Sequence, residues 1–139
     1  MRASIRHCAD FVLKSSYPHS VRQRILNRTS DWTLIRECLC PVLLVKDMEV
    51  PETPKILAAV DIRAKKEAYE KLNEQIIRFG QQAMEGPNAE VHFINAFEEL
   101  RAVPNRHTLA ANCGVSSDRV HVQMGKPDEV IVKHARNLE

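Results

Sequence analysis

The stretch CPVLLVKDMEVPETPKILAAVDI, Cys40 to Ile62, sets two strongly apolar runs on either side of a polar, proline-containing connector. Runs rich in Val, Leu and Ile and bounded by breakers read as β-strands. One strand therefore ends and another begins in the middle of the chain, without the usual neighbours of either. At 139 residues the chain can bury a sizeable core but is too short for two doubly wound domains of ordinary size, which favours one compact unit.

Charge and cysteine usage narrow the function classes. Lys and Arg number 20 against 18 Asp and Glu, so no basic stripe marks a nucleic-acid surface. The longest apolar run, around CLCPVLLV, falls far below the roughly 20 residues of a membrane-spanning helix, and no secretory segment follows Met1-Arg2. Cys8, Cys38, Cys40 and Cys113 form no CxxC pair, the pattern of reduced thiols in a cytoplasm. The expectation is a soluble, unexported, cytoplasmic protein with neither nucleic-acid nor membrane partners.

Ala9 to Ser15 and Pro41 to Lys46 read as strands flanking a short helix, roughly Thr29 to Cys38, whose start suits Ser30 and Asp31 as cap and dipole partner. Lys55 to Ile62 is continuously apolar, which predicts a mid-sheet parallel strand buried on both faces. Ala64, Ala68, Leu72, Ile76, Phe79 and Ala83 recur at spacings of three and four and predict a helix buried on that stripe, with Glu67 to Lys71 and Glu74 to Arg78 as supporting pairs. A further strand, AEVHFINA, follows the EGPN break. EELRAVPNRHTLAANCG predicts helix only in pieces, since Pro104 lacks a donor and Gly114 supplies a stop. RVHVQM alternates as an edge strand with a solvated face. The chain closes on a helix with Pro127 in its first turn and Ile131, Ala135 and Leu138 on one face. Strands separated by helices imply parallel βαβ units and a doubly wound α/β fold.

CPVLLVKD resembles the closing strand of a universal stress protein unit, PKILAAVDI its opening strand, and HVQMGKPDEVIVKHAR its third strand, Gly-x-Pro turn and following helix. In that order the motifs resemble the middle of a two-unit, E-type tandem, as TSDWTLIREC and VKD also do. The resemblance implies that residues 1–46 are the C-terminal part of a first unit, 47–54 a connector, and 55–139 the N-terminal part of a second. It implies the universal stress protein, adenine-nucleotide-hydrolase-like fold with strand order 3-2-1-4-5, and a Phe97-to-Asp118 stretch shorter than the family's connection there. Strands 4 and 5 of one unit and 1 to 3 of the next can complete one sheet as a permuted assembly. The connector spans about 26 Å fully extended against a return of about 22 Å, so exchange between two chains in a swapped dimer is the other route.

Site expectations follow from the same resemblance. The family's phosphate loop has glycines because their amides approach phosphates closely. Its positions fall here on Ser15, Pro18, Arg28 and Thr29, with no glycine among them, and Pro18 lacks an amide donor altogether. The loop reads as degenerate. Asp61, at the carboxyl end of its strand, matches the aspartate that contacts nucleoside in binding relatives, with strand-end capping as the bland alternative. Gly125 lies in MGKPD, which lacks the Walker spacing and reads as a tight strand-to-helix turn, with nucleotide contact as its functional alternative. Val42, Leu43, Leu44 and Val45 form an apolar edge of the kind that in relatives pairs units or protomers, and an exposed apolar strand needs such a cover. His92 and His121 can lie on neighbouring strands but read as exposed strand histidines, Cys38 and Cys40 as packed thiols and Trp32 as a packing anchor. No catalytic set and no zinc spacing is present. The function expected is a non-enzymatic cytoplasmic stress-response protein working through association, without cofactor. The alternative is an ATP-binding sensor using the second unit.

Overall fold

The computed structural model describes residues 10–16, 30–46, 51–63, 65–86 and 88–138. Cys8, Pro18, Arg28, Thr29, Ala64 and the connector residues 47–50 lie outside them. The chain divides into two compact units, Met1–Val50 and Pro51–Glu139, rather than forming the one favoured by length.

The first unit carries β1 (Val12–Ser15), α1 (Ser30–Glu37) and β2 (Val42–Val45). β1 and β2 pair in parallel from Val12 opposite Val42 to Ser15 opposite Val45, the expected strand, helix, strand order. Asp31 stands in the first turn of α1, where a carboxylate complements the helix dipole. It is also only 6% exposed. The Lys14 ammonium pairs with its Oδ1, and the Ser16 hydroxyl donates to Oδ2 at 2.9 Å, tying the start of α1 to the end of β1. Trp32 is not the expected packing anchor: it stays 52% exposed, with the Arg36 guanidinium 5.8 Å from its ring centre, a cation–π contact one helical turn apart.

The second unit carries β3 (Lys55–Ala59), α2 (Glu67–Glu85), β4 (Glu90–Phe97), α3 (Arg106–Cys113), β5 (Val120–Met124) and α4 (Pro127–Leu138), with short 3-10 turns at Leu100–Ala102 and Ser117–Arg119. Its parallel sheet has the order β3-β4-β5. Ile56 stands opposite Val91 and Ala58 opposite Phe93, and Phe93 in turn opposes Val120. Among the described residues the middle strand of this sheet is thus β4, and β3, predicted to lie mid-sheet, stands at its edge. Among the described residues β3 has one strand neighbour, and its Lys55 end is exposed, whereas Val91 to Asn95 are all buried. On β5 burial falls along the strand from Val120 to an exposed Met124 instead of alternating.

Ala58, Val60, Val91, Phe93, Leu109, Ala110, Cys113 and Val120 form one core layer, with Ile76, Ile77, Ala83 and Met84 of α2 packed on it. The apolar stripe of α2 therefore meets the sheet on a face rotated from the predicted one. Leu72 and Phe79 remain outside, Phe79 at 65% exposure. The cause is Gly80, which is buried against the sheet. A Cβ there would stand 2.7 Å from Cζ of Phe93 and 3.4 Å from Cγ1 of Val91, so only glycine lets the helix come this close. Glu67 and Lys71 make their expected pair at 2.7 Å on the solvent side.

The broken helix after β4 also follows its chemistry. The Asn105 side chain caps α3, accepting from the amides of His107 at 2.9 Å and Thr108 at 3.1 Å. Gly114, at φ 69°, closes it in the left-handed region with its amide directed to Ala110 and Ala111 carbonyls. On α4 the inward positions are Val130, Ile131, His134 and Leu138, while the predicted Ala135 faces out.

Gly80→Ala should lower the urea midpoint, overpacking at Phe93 costing about 1–3 kcal/mol against the ~1 kcal/mol that alanine gains as a helix former. Combining it with Phe93→Leu, which withdraws the ring edge, should cost less than the sum of the single changes. A higher midpoint for Gly80→Ala alone would contradict the close approach.

Candidate functional site at the carboxyl ends of the strands

Ligands of open α/β sheets bind beyond the carboxyl strand ends, where the second unit places Asp61 and Gly125. The turn after β3 is held by two amides that residue-type reasoning passed over. Asn73, on the sheet side of α2, accepts from the Asp61 amide at 3.0 Å through Oδ1 and donates to the Asp61 carbonyl through Nδ2. Asn95, 1% exposed in the middle strand, donates from Nδ2 to the Val60 carbonyl at 2.8 Å. Its Oδ1 is buried with no protein partner among the described residues. The signal available in the sequence was a single amide set inside the apolar run HFINAF.

The Asp61 carboxylate is itself exposed and accepts from the Arg63 amide at 3.1 Å. This is an Asx turn, in which the side chain caps the strand-end loop. Gly125 has φ 140° and donates its amide to the Phe97 carbonyl at 2.9 Å. A Cβ on it would stand 2.9 Å from Cγ2 of Val130, so glycine here lets the chain turn tightly from β5 into Pro127 and α4. Its amide is thereby turned to the backbone. An open depression on the outer side of α4, lined by Asp128, Glu129, Val132, Lys133, Arg136 and Asn137, includes neither residue.

In the first unit Ser15 ends β1 opposite Val45, and its carbonyl accepts from the Lys14 ammonium at 3.3 Å. The other expected loop positions, Pro18, Arg28 and Thr29, lie outside the described residues. Of the expected interface residues, Leu43 and Val45 are exposed and Val42 and Leu44 are half-buried.

His92 and His121 are brought together, not left as exposed strand histidines. Both side chains lie on the α4 face of the sheet, His92 only 8% exposed, because register places His121 beside Ile94 on the neighbouring strand. His92 Nδ1 and His121 Nε2 are 3.1 Å apart. Cys38 and Cys40 place their sulfurs 3.5 Å apart, and that contact raises the Cys40 pKa. Burial pushes the Cys113 thiol up to about 11, far from a nucleophile's range. Among the described residues no group of His, Cys and carboxylate side chains is arranged to hold a metal ion, and no helix is long and apolar enough to cross a membrane.

No family model matches the chain. It is 30% identical to Universal stress protein E of Escherichia coli K12 over 153 residues, covering 94% of this chain and 48% of that protein. The Universal stress protein E homolog of Haemophilus influenzae is 25% identical, with 94% of this chain and 50% of that protein covered. A crystal structure of a chain named as a universal stress protein, from Pseudomonas aeruginosa UCBPP-PA14, superposes with a TM-score of 0.80 at 25% identity, over 98% of this chain and 51% of that one. The chain thus spans about half the length of the relatives it matches. The 153 aligned positions exceed its 139 residues, so those relatives carry residues that this chain skips.

Asn73→Ala should destabilise the second unit by about 1 kcal/mol or more, since the Asp61 peptide loses both its partners. Asp61→Ala should change stability by no more than about 0.5 kcal/mol, its carboxylate serving one exposed amide. Denaturant titration of both variants distinguishes them, and an Asp61→Ala cost as large as that of Asn73→Ala would contradict the capping assignment.

Proposed function

Because the chain belongs to the universal stress protein family, as its relatives in both sequence and structure establish, we propose that it serves a cytoplasmic stress response through association with a second copy of itself, without catalysis. The observation that carries this reading is the apolar surface left open on the half-unit strands. Leu13 and Leu43 stand outside on β1 and β2, Leu43 at 50% exposure, with Val45 beside them. An apolar parallel strand with an unpaired edge is a template for a further strand. Val42 to Val45 supply the contact, and exchange of half-units between two chains gives the swapped form of the same dimer.

The lack of glycines at the expected phosphate-loop positions of the first unit fits this role. Ser15, Pro18 and Arg28 stand where the family has glycines. The Asp31 carboxylate adds negative charge at the carboxyl end of β1, already bonded to Ser16 and Lys14, and a phosphate there would meet like charge. The second reading is an adenine-nucleotide sensor in which Asp61 and Gly125 of the second unit contact ATP. Their place at the carboxyl strand ends favours it, and the engagement of Asp61 Oδ1 by Arg63 opposes it.

A thermal-shift series with ATP and magnesium separates the two. Association without nucleotide predicts an unchanged transition, whereas ligand at 100 times its dissociation constant adds about 2.7 kcal/mol. A saturable rise would transfer the assignment to the sensor. Leu43→Glu should reduce the mass measured by light scattering toward the monomer, since a charge on the exposed face of β2 cannot be buried in a partner. An unaltered mass would remove β2 from the interface.

A further inference from the structure

Three histidines from three elements of the second unit meet on one face of its sheet. Besides the contact between His92 and His121, the His92 and His121 rings stack with centres 5.3 Å apart, and the His134 ring of α4 lies 4.7 Å from that of His121. His92 Nε2 is 3.0 Å from Glu90 Oε1. A carboxylate only accepts, so His92 Nε2 carries a hydrogen and Nδ1 of the neutral ring is left as acceptor. His121 Nε2–H then donates to it. The neutral chain His121 to His92 to Glu90 is complete, and it links β5 to β4 under α4.

We propose that this cluster is a proton-operated clasp, which fastens edge strand β5 and helix α4 to the central strand when neutral and loosens them when the cluster takes up more than one proton. The first added proton is tolerable, because His92 and His121 can keep a single hydrogen between them and Glu90 supplies the counter-charge. A second puts hydrogens on both facing nitrogens at 3.1 Å and sets two cations against one carboxylate. Around His121 the other groups do not compensate. His92 faces it from β4, with Glu90 engaged on the far nitrogen of that ring, and His134 faces it from α4, while Arg106 at the start of α3 is a further cation. On the turn leading into β5 the charged groups are Arg119 and Asp118, the latter held low by the Ser116 hydroxyl.

Burial first, then the charges of His134, His92 and Arg106, hold the His121 pKa below its ordinary 6.5. A cluster that already carries one proton therefore binds the next, at His121, less readily than the unfolded chain does. The stabilisation is whole above about pH 6.5 and drains away as pH falls through the lower folded value.

The test is amide hydrogen exchange on the full chain at about pH 7.5 and about pH 5.5, corrected for the intrinsic pH dependence of exchange, in wild type and His121→Gln. Glutamine keeps an N–H for His92 and does not titrate. Wild type should lose protection in β5 and α4 severalfold on acidification, while His121→Gln holds it. An equal loss in His121→Gln, or none in wild type, overturns the clasp. If that variant does not fold, His134→Gln replaces it: removal of the third ring should shrink the acid-induced loss, and a loss as large as in wild type counts against the proposal.

Discussion

A parallel sheet is stable only when both its faces are covered and its edges are paired or shielded. In the second unit β4 meets that requirement fully. It has a strand on either side, α2 and α3 on the face that includes Val91 and Phe93, and α4 over the face that includes Ile94. β3 meets it on one edge only, among the described residues, and the pair β1 and β2 leaves its outward side chains exposed. The distribution of burial and the proposed association both follow from this difference.

Close packing on the covered strand depends on small residues at particular points. Gly80 allows α2 to reach Phe93, and Gly125 lets β5 turn under Val130. Neither glycine is needed for flexibility; at both a side chain would occupy space already filled, and at Gly125 the positive φ also favours glycine. The polar residues within the covered region are likewise tied to the backbone or to one another. Asn73 and Asn95 secure the end of β3, and His121, His92 and Glu90 run across the opposite face.

The strands and the final helix were legible in the sequence because each carries a period or a breaker that acts locally: Pro104 and Gly114 divide the helical stretch where expected, and Pro127 opens α4. The orientation of α2 was not. Summing apolar bulk favours the stripe through Leu72 and Phe79, yet the sheet selects the stripe with the smallest residue, and Gly80 reads in isolation as a weak helix former. The position of Asp61 at a strand end was also legible, but not the direction of its carboxylate, which depends on Arg63 and on Asn73 from the next helix. The histidine cluster joins residues from three elements, and no local pattern announces it. The mid-sheet place predicted for β3 came from its apolar continuity, which does not by itself say how many neighbours a strand has.

The claim on which the functional account rests is that the strand edges left unpaired among the described residues and the exposed Leu13, Leu43 and Val45 are covered by another copy of the chain. Sedimentation velocity of the unmodified protein over a wide concentration range tests it most directly. The account predicts a boundary that moves reversibly from monomer to dimer as concentration rises; a monomer boundary at every concentration would contradict it.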